Sequence, residues 1–131
     1  MFETAFDKPN NLLRMTFSGH VTADEAKQGT DELADHLVET ESGFRLLTDL
    51  TGLEAMDTEC VPYIRSSMDI LNKKGVAMVV RVIPDPQKDI GFKILSLFHY
   101  GHDVQIVTCE SLEEAMRDIG RPKRTDRKSV V

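Results

Sequence analysis

The sequence predicts a single-domain α/β protein, with a mixed, mostly parallel sheet of about five strands and about four helices. Apolar, β-branched runs alternate along the chain with segments whose apolar residues recur every three or four positions. The 131 residues, of which 40% are hydrophobic and 29% charged, suffice for one packed core. Helices between successive strands favour parallel pairing. We place the domain at residues 1–120 and expect 121–131 to be a basic, disordered C-terminal tail.

The N-terminal residues predict a β-hairpin. Segments 2–6 and 12–18 have the apolar or alternating pattern of strands, and the turn residues Lys-Pro-Asn-Asn at 8–11 separate them. We expect this hairpin to form an antiparallel edge of the sheet. Gly19 interrupts the alternation, so the second strand is expected to end before it.

A capping box predicts the first helix. Thr22 and Glu25 have the spacing at which a hydroxyl and a carboxylate satisfy each other's backbone donors. The expected buried stripe consists of Ala26, Leu33, Ala34, Leu37 and Val38. On the opposite face, Lys27, Asp31, Glu32 and Asp35 are expected to meet water.

The middle of the chain predicts a buried strand and a second helix. Gly43 precedes the mostly apolar run 44–50, which has the length of a strand. The helix is expected from about Thr58 to Lys74, with Pro62 in its first turn and Gly75 just past its end. Its predicted buried stripe consists of Ile64, Met68 and Leu71.

Two more strands and a third helix are expected next. The continuous apolar run 76–83 predicts a central strand. Residues 85–86, Asp-Pro, predict the start of a helix that ends near Gly101, and 104–107 predicts the last strand. The buried face of this helix is expected to consist of Ile90, Ile94, Leu97 and Phe98.

A fourth helix closes the predicted domain. Ser111 and Glu114 form a second capping box, and Gly120 and Pro122 stop the helix. The residues expected to face inward are Leu112, Ala115, Met116 and Ile119.

Charge and cysteine content exclude several classes of protein. The net charge of −6 combines −10 over residues 1–120 with +4 over residues 121–131, and an acidic body repels nucleic acids and anionic lipids. The apolar runs are shorter than the roughly 20 residues of a membrane span. Two cysteines do not make a secreted disulfide framework. We therefore expect a cytoplasmic protein with no nucleic-acid partner and no membrane span.

The segment Leu46–Thr58, with the sequence LLTDLTGLEAMDT, resembles the signature of the STAS family of bacterial anti-sigma-factor antagonists and related signalling proteins. In that family a buried strand ending in Asp-Leu is followed by a short loop, then by an acidic and a hydroxyl residue at a helix start. The order of the elements agrees from about residue 12 to 119. The resemblance implies a STAS-like sandwich and a bacterial, non-catalytic module of signal transduction and transcription regulation.

The resemblance also implies a site. Asp57 matches the family's acidic residue, and Thr58 matches its phosphoacceptor hydroxyl. A protein partner, an anti-sigma factor or a serine/threonine-kinase-like protein, would bind around this helix start through Asp57, Thr58, Glu59 and Tyr63. Glu59 and Cys60 depart from the family, in which a small residue and glycine follow the hydroxyl.

Other interpretations remain open. Asp57 or Thr58 can be a simple helix N-cap. A degenerate domain of this type can instead bind a small apolar or nucleotide ligand, in a pocket lined by Met56, Met68, Met78 and Phe98. A multimeric scaffold without a switch is a third interpretation, and a homodimer is compatible with each.

Catalysis has little support in the sequence. Cys60 lies near a helix start and Arg65 follows, but the spacing is one residue short of the Cys-x5-Arg phosphate loop and the glycines of that loop are missing. His99 and His102 flank Gly101 without a matching pair of ligands. We therefore expect no enzyme activity, no metal and no cofactor.

Overall fold

The computed structural model describes residues 1–83 and 104–119. The elements are β1 (Phe2–Asp7), β2 (Leu12–Val21), α1 (Ala23–Glu39), β3 (Arg45–Met56), a 3-10 turn (Thr58–Cys60), α2 (Val61–Lys74), β4 (Met78–Val82), β5 (Gln105–Cys109) and α3 (Leu112–Ile119). Among these, no helix is long and apolar enough to cross a bilayer. The helix expected between 85 and 101, the domain boundary at 120 and the basic tail lie outside the described residues.

The sheet confirms the predicted α/β class. Its strand order is β1-β2-β3-β4-β5. The β1–β2 hairpin is antiparallel and lies at one edge, as predicted, while β2, β3, β4 and β5 pair in parallel. The 76–83 run forms β4, which is an interior strand as predicted because it lies between β3 and β5, while β3 holds the middle position.

Alternation along the strands divides the core into two clusters. In β3, Leu46 belongs to the larger cluster, which includes side chains of α1 and α2. The next residue, Leu47, belongs to a smaller cluster with Ala115 and Ile119 of α3. Because successive strand side chains point to opposite faces, the two clusters lie on opposite faces of the sheet.

The buried face of α1 is rotated from the predicted stripe. Ala26, Leu33 and Leu37 are buried as expected, but Val38 is 81% exposed and Ala34 is exposed too. Gly29 and Thr30 are buried instead. At about 100° per residue, positions 26, 29, 30, 33 and 37 form one face, and positions 34 and 38 lie on its flank. The prediction followed hydrophobicity and so missed a small residue and a polar residue that pack inward.

The same error recurs in α3. Ala115 and Ile119 are buried and Leu112 is half-buried, whereas Met116 is 44% exposed. Asp118 is buried in its place, because its carboxylate meets the thiol of Cys109 at the end of β5. The side of this short helix that faces the sheet thus includes a polar contact as well as apolar ones.

β2 and β3 both extend further than predicted. Their pairing continues from Thr16↔Asp49 to Val21↔Met56 across two register shifts. Gly19 has a φ of 61°, which glycine adopts without strain, and β2 continues through it to Val21. The residues expected to form a loop after Leu50 are therefore strand up to Met56.

Candidate functional site

The candidate site lies where β2 and β3 end side by side. Val21 and Met56 are the last paired residues, and the backbone N–H of Asp57 donates to the carbonyl of Val21 at 3.0 Å. After this point β2 leads into α1, and β3 leads into the 3-10 turn and α2. Parallel pairing therefore places the starts of two helices next to each other.

Asp57 stands at the N-cap of the 3-10 turn but does not cap it with its side chain. Its backbone is extended (φ −65°, ψ 146°), and it makes no side-chain cap hydrogen bond. Its Oδ1 atom lies 2.5 Å from Nε2 of His20 on β2. The interpretation of Asp57 as a simple cap is thus wrong, because its carboxylate is engaged by the neighbouring strand.

Thr58 and Glu59 present their side chains to solvent. The predicted helix start at Thr58 is a single 3-10 turn, and the α-helix itself begins at Val61 with Pro62 in its first turn. Among the described residues no hydrogen bond from the Thr58 hydroxyl is found, so this oxygen is open to an approaching enzyme. Tyr63 is half-buried and packs against the larger cluster.

Cys60 is a core residue rather than a nucleophile. It is fully buried, and its thiol donates to the carbonyl of Val21 at 3.4 Å. Burial, with the negative charge of Asp57, raises the pKa of the Cys60 thiol above its ordinary value. A catalytic thiolate needs the opposite shift. Arg65 is exposed on α2.

Three carboxylates border the site. Asp57 and Glu59 follow β3, and Glu25 lies in the first turn of α1, where the predicted capping box with Thr22 is formed. The charges of all three act on the thiol of Cys60. The Thr22 backbone N–H donates to Glu25 and lowers the pKa of that carboxyl. The surface around Thr58 is therefore acidic.

A second polar group lies away from this site, on the other face of the sheet. The ligand atoms of Cys109, Glu114 and Asp118 all lie within 4.8 Å of one another. Burial, together with hydrogen bonds to the two carboxylates, raises the pKa of the Cys109 thiol to about 12. The thiol is therefore protonated at neutral pH and acts as a hydrogen-bond donor to Asp118.

The methionines proposed to line a ligand pocket do not come together. Met68 belongs to the larger cluster and Met78 to the smaller one on the opposite face. Met56 packs at the margin of the larger cluster, and Phe98, like His99 and His102, lies outside the described residues. Met68 and Met78 are core fillers, as methionines at such spacings commonly are.

His20 is the site residue that sequence reasoning missed. It follows Gly19, before which the strand is predicted to end, so the sequence predicts no contact with a residue 37 positions later. The extended β2–β3 ladder brings His20 opposite Ala55, two residues before Asp57. The alternation of β2 resuming after Gly19 was the available signal.

Neither a family model nor a curated protein matches this chain in sequence. Solved structures share its fold. SpoIIAA of Bacillus, in its phosphorylated form, is 14% identical with a TM-score of 0.60, over 91% of this chain and 99% of that one. A DUF3478-family protein with a SpoIIAA-like fold from Shewanella loihica gives the same identity and score over 91% and 92%.

An anti-sigma factor antagonist from Mycobacterium paratuberculosis is also similar. It is 14% identical, with a TM-score of 0.55 over 92% of this chain and 96% of that one. Such low identities establish the fold alone. The chain therefore has the SpoIIAA-like fold, which is the fold that the resemblance of its Leu46–Thr58 segment implied.

Proposed function

We propose that this protein is a non-catalytic bacterial signalling module that binds a regulatory protein partner through the Thr58 surface, defined as Asp57, Thr58, Glu59 and Tyr63. The partner is an anti-sigma factor or a serine/threonine-kinase-like protein, and phosphorylation of Thr58 switches the interaction. The observation that carries the proposal is the exposed side chain of Thr58, the second residue after β3. SpoIIAA, which shares the fold, has been solved in both unphosphorylated and phosphorylated forms.

The charge around Thr58 explains how the switch would work. The hydroxyl oxygen of Thr58 would attack the γ-phosphorus of a nucleoside triphosphate held by the kinase, the nucleoside diphosphate would leave, and the hydroxyl proton would pass to a base of the kinase. The phosphate adds about −1.5 to −2 charges beside Asp57 and Glu59. Repulsion and desolvation would then release a partner whose surface complements the unmodified site. The fold would persist, because the Thr58 side chain is exposed.

The setting of the proposal is the bacterial cytoplasm, where the module would act in transcription regulation. Of the two alternatives, the apolar ligand pocket loses support because Met68 and Met78 lie on opposite faces of the sheet. A multimeric scaffold has no specific observation in its favour. A homodimer is compatible with the proposal, since it need not cover the Thr58 surface.

The test compares two substitutions of Thr58 with a matched control. Thr58→Glu should weaken capture of the partner from lysate of the native cell, while Thr58→Ala should retain it. Ser42→Glu adds the same charge at another exposed hydroxyl residue, before β3 rather than after it, and should also retain the partner. Mass spectrometry identifies the captured proteins and locates phosphate in the wild-type chain.

Each outcome has a distinct meaning. Loss of one kinase-like or anti-sigma-like protein in Thr58→Glu alone, with phosphate on wild-type Thr58, supports the proposal. Identical partners in all four proteins, with Thr58 unmodified, would overturn it. Melting temperatures of the three variants should stay close to that of the wild type, which separates loss of binding from loss of fold.

A further inference from the structure

The His20–Asp57 contact lies directly beside the proposed phosphorylation site. Nε2 of His20 is 2.5 Å from Oδ1 of Asp57, the residue before Thr58. The side chains of His20 and Asp57 are 59% and 37% exposed. Since the carboxylate makes no cap hydrogen bond, this contact is not a by-product of helix capping.

The site has a surplus of negative charge. Asp57 and Glu59 flank Thr58, and Glu25 reaches the same region from α1. The ring of His20 contacts Asp57, and the amino group of Met1 lies 3.5 Å from Glu25. A phosphate on Thr58 would increase the surplus. A nearby cation would favour the dianion against these carboxylates.

We propose that His20 is the counter-charge that accommodates a phosphate group on Thr58. Imidazole gains its proton between about pH 5 and 8, the range in which a phosphate monoester acquires its second charge at pKa ~6. His20 contacts Asp57, the residue preceding Thr58, so its ring lies next to the residue that would carry the phosphate. This inference deepens the proposed function and rests on Thr58 as the modified residue.

The test places phosphothreonine at position 58 by genetic encoding, which needs no native kinase. The ³¹P chemical shift of the intact protein is then followed from pH 5 to 8, and its midpoint gives the second pKa of the phosphate. The same titration is made with His20→Gln and with His36→Gln. His36 is a matched control, because it lies in the last turn of α1, away from the helix start that borders the site.

In His20→Gln the midpoint should rise by about 0.5 or more, because a cation that favours the dianion is gone. His36→Gln should leave the midpoint unchanged. Asp57→Asn should lower it, because a competing carboxylate is removed. Coincident titrations of wild type and His20→Gln would overturn the inference, and circular dichroism of each variant verifies the fold.

The titration tests the role of His20 independently of the partner-capture experiment that tests the proposed function. If the midpoint depends on His20 but no partner responds to Thr58→Glu, the phosphate site stands and the signalling role fails. If partner capture is lost in Thr58→Glu but the phosphate midpoint is the same in wild type and His20→Gln, the signalling role stands and the counter-charge assignment fails.

Discussion

The ring of Phe2 in β1 lies directly against Gly29 of α1, so closely that a Cβ atom on residue 29 would overlap it. The same ring stacks on Phe17 of β2, with the ring centroids 4.3 Å apart. The absence of a side chain at Gly29 thus leaves space on the surface of α1 that the Phe2 ring of the edge strand fills. The close approach of backbone and ring is what fixes α1 over the hairpin.

Gly29→Ala should destabilise the protein. In a solvent-exposed helix the change would stabilise the protein by about 1 kcal/mol. Here the added methyl group would overlap the Phe2 ring, and such overpacking costs about 1–3 kcal/mol. Urea unfolding measures the difference. In a Phe2→Ala background the same substitution should become favourable. A more stable Gly29→Ala single variant would show that the ring does not occupy this space.

The rotation of α1 predicts opposite effects at two apolar positions. Leu33 is fully buried, so Leu33→Ala should cost about 2–5 kcal/mol. Val38, which is 81% exposed, should tolerate Ala within about 0.5 kcal/mol. Thermal unfolding of the two variants distinguishes them, and a large loss at Val38 would contradict the observed helix face.

The capping box at the start of α1 predicts an acid-dependent contribution. The carboxyl of Glu25 has a lowered pKa, because the Thr22 backbone N–H donates to it. Its contribution is present above the unfolded-state pKa and is lost as pH falls through the lower, folded-state pKa. The stability gap between wild type and Glu25→Gln should therefore be wider at pH 7 than at pH 3, as measured by thermal unfolding.

Thr22→Ala removes the other half of the same box, and should cost about 1 kcal/mol. The two substitutions act on one pair of reciprocal hydrogen bonds, so the double variant should lose less stability than the two single losses added together. Strict additivity in a double-mutant cycle would argue against the reciprocal geometry.

Cys109 predicts a loss of stability in alkali. Its pKa in the folded protein is raised from 9.0 to about 12, so its contribution is fully present below the unfolded-state pKa and declines as pH rises from 9 towards 12. Cys109→Ala removes this decline, and its free energy of unfolding should fall less steeply between pH 8 and pH 10. Parallel slopes for variant and wild type would show that the thiol does not titrate as proposed.

Sequence reasoning predicted the order and pairing of the described elements because hydrophobic period and capping residues are local signals. Thr22 with Glu25, and Gly75 at the end of α2, gave boundaries that the structure retains. It failed where tertiary contacts decide. Gly29 lies on the buried face of α1 and Asp118 on the buried face of α3. A prediction from hydrophobicity places neither residue on a buried face.

The candidate site was predicted in part for the same reason. Asp57 and Thr58 were found through the resemblance of a short segment, and the structure places both at the surface after β3. His20 was missed, because its contact depends on a strand that continues beyond Gly19. A positive φ at glycine can mark a bulge as well as an end, and one sequence does not distinguish the two.

The long β2–β3 ladder has a consequence for how fast a partner could bind. Because pairing continues to Val21 and Met56, the segment leading to the Thr58 surface is held by backbone hydrogen bonds rather than left as a free loop. A partner would meet a preformed surface and would not have to order this segment, so that part of the entropic cost of association is avoided. Encounter would then be governed by diffusion and by the attraction of an acidic surface for a basic one, and association would slow as salt is added.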